Sequence, residues 1–136
     1  MKLGLGTVQF GLDYGISNSR GRISGEAAGD ILVAARALGV DIIDTATSYG
    51  KSEEALGAAL PPHHDFAIVT KTPVFGSGEI GQRQVDELKQ SLERSLSRLH
   101  SECLCGLLLH HGGDLENPGA ERLVRALEDL KRAGLV

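Results

Sequence analysis

Asp44, Lys71 and His110 each end a short apolar run, and Tyr49 follows Asp44 by five residues. Any one of these alone reads as a solvated or structural group, since a charged residue is a common way to finish a strand. Together they form a chemical set. A phenol has an unperturbed pKa of ~10, which makes Tyr49 a candidate proton donor near neutral pH. An ammonium beside a phenol favours phenolate and eases proton transfer, the part Lys71 would play. Asp44 would pair with Lys71, keeping it charged and aimed. His110 would hydrogen-bond a substrate oxygen and orient it. The chemistry that fits is polar reduction of a carbonyl. None of these groups can supply two electrons, so a hydride must come from a bound cofactor, most simply a nicotinamide.

Four strands and four helices must position these groups. Residues 2–8 are a short apolar run broken by glycines, a strand that a ligand or another backbone approaches closely. A polar, Gly-rich stretch over residues 11–25 follows. Ser24 then offers an N-cap, and Ala28, Ile31, Leu32, Ala35 and Leu38 recur at helical spacing before Gly39 stops the helix. Residues 40–46 are the second strand. Ser52, Glu53 and Glu54 open a short helix that runs through Leu60 and ends at Pro61-Pro62. Residues 66–71 are the third strand, apolar enough for a parallel strand covered on both faces. Val85, Leu88, Leu92, Leu96 and Leu99 mark a longer helix, residues 105–110 a fourth strand, and residues 121–133 a fourth helix.

Strand-helix alternation predicts an α/β fold with a parallel sheet and right-handed crossovers. Two architectures satisfy it. One is a small doubly wound sheet; the other is half of a (β/α)8 TIM-type barrel, whose complete form runs to ~250 residues. In both, ligands bind at the carboxyl ends of the strands, where the four candidate residues lie. If the strands are adjacent in order, at ~4.8 Å spacing, the side chains converge.

Composition narrows the classes. Over 136 residues the chain is 41% hydrophobic and 24% charged, with a net charge of −4, as in ordinary globular domains. Without a run of ~18 apolar residues it has no spanning helix, and its N-terminus lacks the apolar core of a secretory signal. Net negative charge without a basic cluster argues against nucleic acid. Cys103 and Cys105 read as a buried, reduced pair in a cytoplasmic protein, and no metal-binding spacing is present. His63 and His64 read as loop residues. His111 should point away from His110 across the strand. Tyr14, in the loop after the first strand, is a candidate pocket-lining residue, and Lys51 a solvated one.

Four stretches carry a family resemblance: residues 6–11 (GTVQFG), 44–53 (DTATSYGKSE), 69–71 (VTK) and 107–110 (LLLH). In this order they resemble the aldo-keto reductases, the Asp44–Glu53 stretch most specifically. The resemblance implies an NADPH-dependent oxidoreductase with Tyr49 as general acid, Lys71 and Asp44 as its tuning pair, and His110 as substrate orienter. It also implies that Gly6, Thr7 and Asp44 lie near the nicotinamide ribose. It spans essentially the whole chain as a single domain over residues 1–136, yet only the N-terminal half of that family's barrel. The expectation is a chain truncated before the strands that carry most of the pyrophosphate contacts, with NADH open as the alternative cofactor and a small carbonyl compound as substrate.

Two other readings stand beside this one. A Lys at a strand end could form a Schiff base, as in an aldolase-type lyase, although Asp44 would oppose the neutral amine that this needs. A half-barrel could also be catalytically silent, acting only as an assembly or interaction module. Exposed strand edges would then drive self-association.

Overall fold

Ser24 accepts a hydrogen bond from the Ala27 amide at 3.2 Å and opens the first long helix, as its place before an apolar periodic run predicts. The computed structural model describes residues 3–136, so the expected strand start at Lys2 lies outside the described residues. In chain order the elements are β1 (Gly4–Gly6), α1 (Val8–Gly11), α2 (Gly25–Ala37), β2 (Ile42–Asp44), α3 (Ser52–Ala59), β3 (Ala67–Lys71), α4 (Gln82–Leu99), β4 (Gly106–Leu108) and α5 (Glu121–Arg132). A 3-10 turn over Gly112–Glu116 joins β4 to α5. No helix among the described residues is long and apolar enough to cross a membrane.

The four strands are all parallel, in the order β1-β2-β3-β4. Sequential order decides between the two expected architectures. A doubly wound sheet reverses its strand order and takes helices on both faces. Here Ile43 and Ile68 share one sheet face, and they pack in a single core with Leu32 of α2, Leu56 of α3, Leu88 and Leu92 of α4, and Leu123 of α5. Helices on one face of an ordered parallel sheet make this four βα units of a (β/α)8 barrel.

Alternation along the strands follows from that layering. Ile43, Ile68 and Thr70 are buried beneath the helices, whereas Ile42, Ala67, Val69 and Lys71 are only half-buried. The third strand is therefore not covered on both faces, as its apolar run predicted. Its second face points where the interior of a complete barrel would be.

Three other expectations need correction. Val8 belongs to a helical turn rather than to the first strand: the Phe10 amide bonds Thr7 O and the Leu12 amide bonds Val8 O, which tucks Phe10 into the core. The strands are shorter than their apolar runs, because pairing to a neighbour, not hydrophobicity, sets their length. Cys103 and Cys105 are unpaired but exposed rather than buried; they lie before β4 begins, and Leu104 between them takes the core position.

Candidate active site

The loop between β2 and α3 is fixed before any reacting group is placed. Gly11, at the end of α1, packs directly on Tyr49 O and the Ser52 and Lys51 amides, so close that a β-carbon has no room. Gly50 has φ of +59° against Gly11 O, a conformation that glycine adopts without strain. Beneath this loop lies a dry hydroxyl cluster. Ser52 Oγ donates to Thr7 O at 2.7 Å and stands 2.9 Å from Thr7 Oγ1 and 3.2 Å from Thr45 Oγ1. Thr7 Oγ1 in turn donates to Asp44 O at 3.0 Å. All three side chains are fully buried, so each hydroxyl proton needs a protein acceptor and finds one. The cluster ties the ends of β1 and β2 to the start of α3.

On that base stand the four expected residues. Gly6, Asp44 and Val69 lie side by side in the sheet, and Lys71 is two residues further along β3, on the same face. Lys71 Nζ reaches back to Asp44 Oδ1 at 2.8 Å and Oδ2 at 2.7 Å, and donates to Thr45 O at 2.9 Å. Three acceptors satisfy the three ammonium protons, which holds Nζ in one place. Nζ also lies 4.9 Å from the centroid of the Tyr49 ring, within cation–π range. His110 sits two residues beyond β4, not at its last position. Its amide donates to Thr72 Oγ1 at 3.2 Å, and its ring meets Tyr49 edge-on, with centroids 6.0 Å apart and planes at 78°. Asp44, Tyr49, Lys71 and His110 thus gather at one rim, the carboxyl end of the sheet.

Thr7 has a different place from the one the sequence assigned. Its side chain is buried and its amide and hydroxyl both bond Asp44 O, which leaves no polar side-chain atom to face a ligand. Gly6, by contrast, is exposed, with open space where a β-carbon would stand.

The remaining candidates lie apart from the cluster. Tyr14 is exposed, and its carbonyl anchors Gln9 and Asn18. His64 accepts from the Phe66 amide, and His63 and Lys51 are exposed. His111 is exposed, with Nδ1 3.8 Å from Oδ1 of the buried Asp114.

Two positions were not read as site residues from the sequence. Ser48 Oγ lies 3.3 Å from His110 Nδ1, a pair separated by 62 positions. Buried Glu53 accepts from Thr70 Oγ1 at 2.8 Å and from Arg98 at 3.2 Å, which locks α3 to β3 and α4. Glu53 was visible in the quoted motif, but nothing local to it showed its partners.

Comparison with known proteins agrees with this geometry. The profile of the aldo/keto reductase family matches residues 2–136. A solved aldo-keto reductase structure from Pseudomonas aeruginosa superposes with a TM-score of 0.78 at 36% identity, over 97% of this chain and 51% of that one. Yeast D-arabinose 1-dehydrogenase is 31% identical over 113 residues, 79% of this chain and 33% of the yeast protein. An uncharacterized oxidoreductase of Mycobacterium tuberculosis is 50% identical over 62 residues, 43% of this chain and 18% of that protein. The chain spans about half the length of the solved relative and a third of the yeast enzyme. Its ordered parallel sheet, the ammonium–carboxylate–phenol–imidazole rim and the match over nearly every residue lead to one assignment: the chain belongs to the aldo/keto reductase family.

Proposed function

We propose that this polypeptide carries the proton-transfer half of a carbonyl oxidoreductase that reduces an aldehyde or ketone to an alcohol with NADPH. One observation supports the reading most directly: Lys71 Nζ is held by both Asp44 oxygens and Thr45 O while lying against the Tyr49 ring, with His110 on that ring's edge. Family membership supports the same chemistry at the level of an oxidoreductase.

The residues present fit a nicotinamide nucleotide. Gly6 leaves its surroundings open beside Asp44, whose side chain is still 41% exposed after pairing with Lys71. A planar ring or a ribose can approach such a glycine where a β-carbon would obstruct it. Gly6 and Asp44 would hold that end of the cofactor. When bound, the reduced nicotinamide supplies the hydride that the carbonyl carbon accepts. Tyr49 gives its phenolic proton to the carbonyl oxygen as the C–O bond becomes single. Lys71 stabilises the phenolate left behind, and Asp44 keeps the ammonium in position. His110 donates a hydrogen bond to the same oxygen and orients it. A lyase working through a Lys71 Schiff base is disfavoured, because three acceptors hold Nζ as an ammonium and leave no free amine. We place the reaction in the cytoplasm, where exposed thiols such as Cys103 and Cys105 stay reduced.

A second reading is favoured by the half-exposed sheet face, with Leu108 51% exposed on the unpaired edge of β4. In it the chain turns nothing over alone and works by associating through that face and edge. Incubation with NADPH and a panel of small aldehydes and ketones separates the two. Substrate-dependent loss of reduced-nicotinamide absorbance with matching alcohol supports the reductase. Cofactor binding without any turnover across the panel rejects the reductase for this chain.

A further inference from the structure

We infer that Ser48 is a positioning residue that selects the imidazole tautomer of His110, and so decides which ring nitrogen can donate to a substrate oxygen. The inference rests on the reading of His110 as a hydrogen-bond donor to the reacting carbonyl. A neutral imidazole has one donor and one acceptor nitrogen, and the partner at one nitrogen fixes the state of the other. His110 is held at two further points, through its amide to buried Thr72 and through its ring edge to Tyr49. Neither involves a ring nitrogen. The Ser48 hydroxyl, 3.3 Å from Nδ1, does. Among the described residues Ser48 Oγ has no other hydrogen-bonding partner, so its proton is available to Nδ1.

With Ser48 donating, Nδ1 is the acceptor and the ring proton resides on Nε2. That nitrogen then presents N–H to a carbonyl oxygen and to the negative charge that grows there during reduction. In the other tautomer Nε2 presents a lone pair, which repels the same oxygen. Ser48 precedes Tyr49 in the loop that Gly11 and Gly50 hold rigid. One short segment therefore carries the proton donor and sets the polarity of the group that faces it. The arrangement needs only a hydroxyl at this position, so threonine serves as well as serine and alanine does not.

Nitrogen-15 labelled protein, at a pH where the ring is neutral, reports the tautomer through long-range proton–nitrogen correlations of the imidazole. The His110 signals are those lost in His110→Gln. The wild type and Ser48→Thr are expected to show mainly the Nε2–H pattern. Ser48→Ala, at an exposed position that does not endanger folding, is expected to lower the ratio of Nε2–H to Nδ1–H about fivefold, the size of one neutral hydrogen bond. An unchanged ratio in Ser48→Ala, or a wild type that is mainly Nδ1–H, overturns the inference. Carbonyl reduction assayed on the same proteins separates the two claims. A shifted tautomer with no turnover in any variant leaves Ser48 its role and removes the reductase. Turnover in the wild type with an unmoved tautomer does the reverse, while a fall in kcat restored by Ser48→Thr supports both.

Discussion

Gly11 packs against the carbonyl oxygen of Tyr49 with no room for a β-carbon between them. The neighbours are backbone atoms, which cannot turn aside as a flexible side chain would. Gly11→Ala must therefore push the Tyr49 loop outward or strain α1. We expect it to destabilise the protein by about 2–3 kcal/mol, the upper range for overpacking, measured by urea unfolding. A loss below about 0.5 kcal/mol would show that the loop yields freely.

Gly6 is the converse case. Nothing lies within 4 Å of its missing β-carbon, so Gly6→Ala is expected to unfold at the same urea concentration as the wild type. If the nicotinamide end of the cofactor approaches this glycine, the methyl group obstructs it and the Kd for NADPH rises. Equal affinity, measured by quenching or transfer of cofactor fluorescence, would remove Gly6 from the cofactor site.

Tyr49→Phe deletes one hydroxyl and keeps the ring against Lys71 and His110. In protein that reduces a carbonyl, turnover should fall by about 10²–10⁴, the usual range for a general acid, with NADPH affinity unchanged. Undiminished turnover would mean that another group delivers the proton.

The Lys71–Asp44 pair separates chemistry from stability. Asp44 is 41% exposed, so water can solvate its carboxylate once the ammonium is gone. Lys71→Met should cost at most about 1 kcal/mol in unfolding free energy, as for solvated ion pairs, while turnover falls steeply. Parallel losses of stability and turnover would recast Lys71 as a structural residue.

Glu53 behaves in the opposite way. It is 2% exposed and satisfies both Thr70 and Arg98, but touches none of the four rim residues among the contacts described. Glu53→Ala leaves the Thr70 hydroxyl unpaired in the core, while Arg98, a third exposed, keeps Glu54 at 3.3 Å. The expected cost is about 2–3 kcal/mol, read as a lowered Tm. A Tm equal to that of the wild type would show that water or a neighbour replaces the carboxylate.

Much of this architecture is written in local patterns. Apolar periodicity and the Ser24 cap located the helices, because those signals act within a turn or two of chain. Alternating strands and helices implied a parallel sheet, and polar groups at strand ends pointed to one catalytic rim, where the structure gathers them. Strand limits were not legible in the same way, since a strand ends where its neighbour stops pairing. Nor could the apolar runs say that one face of β3 is only half-covered, or that Cys103 and Cys105 are exposed, because both depend on which elements pack where. Thr7 looked like a ligand contact until Ser52, 45 positions away, was found holding it inward. Ser48 and His110, 62 positions apart, meet only because two loops end at the same height above the sheet. Residue type and spacing specify which groups exist and in what order they come; register and packing, which act across the chain rather than along it, decide which of them touch.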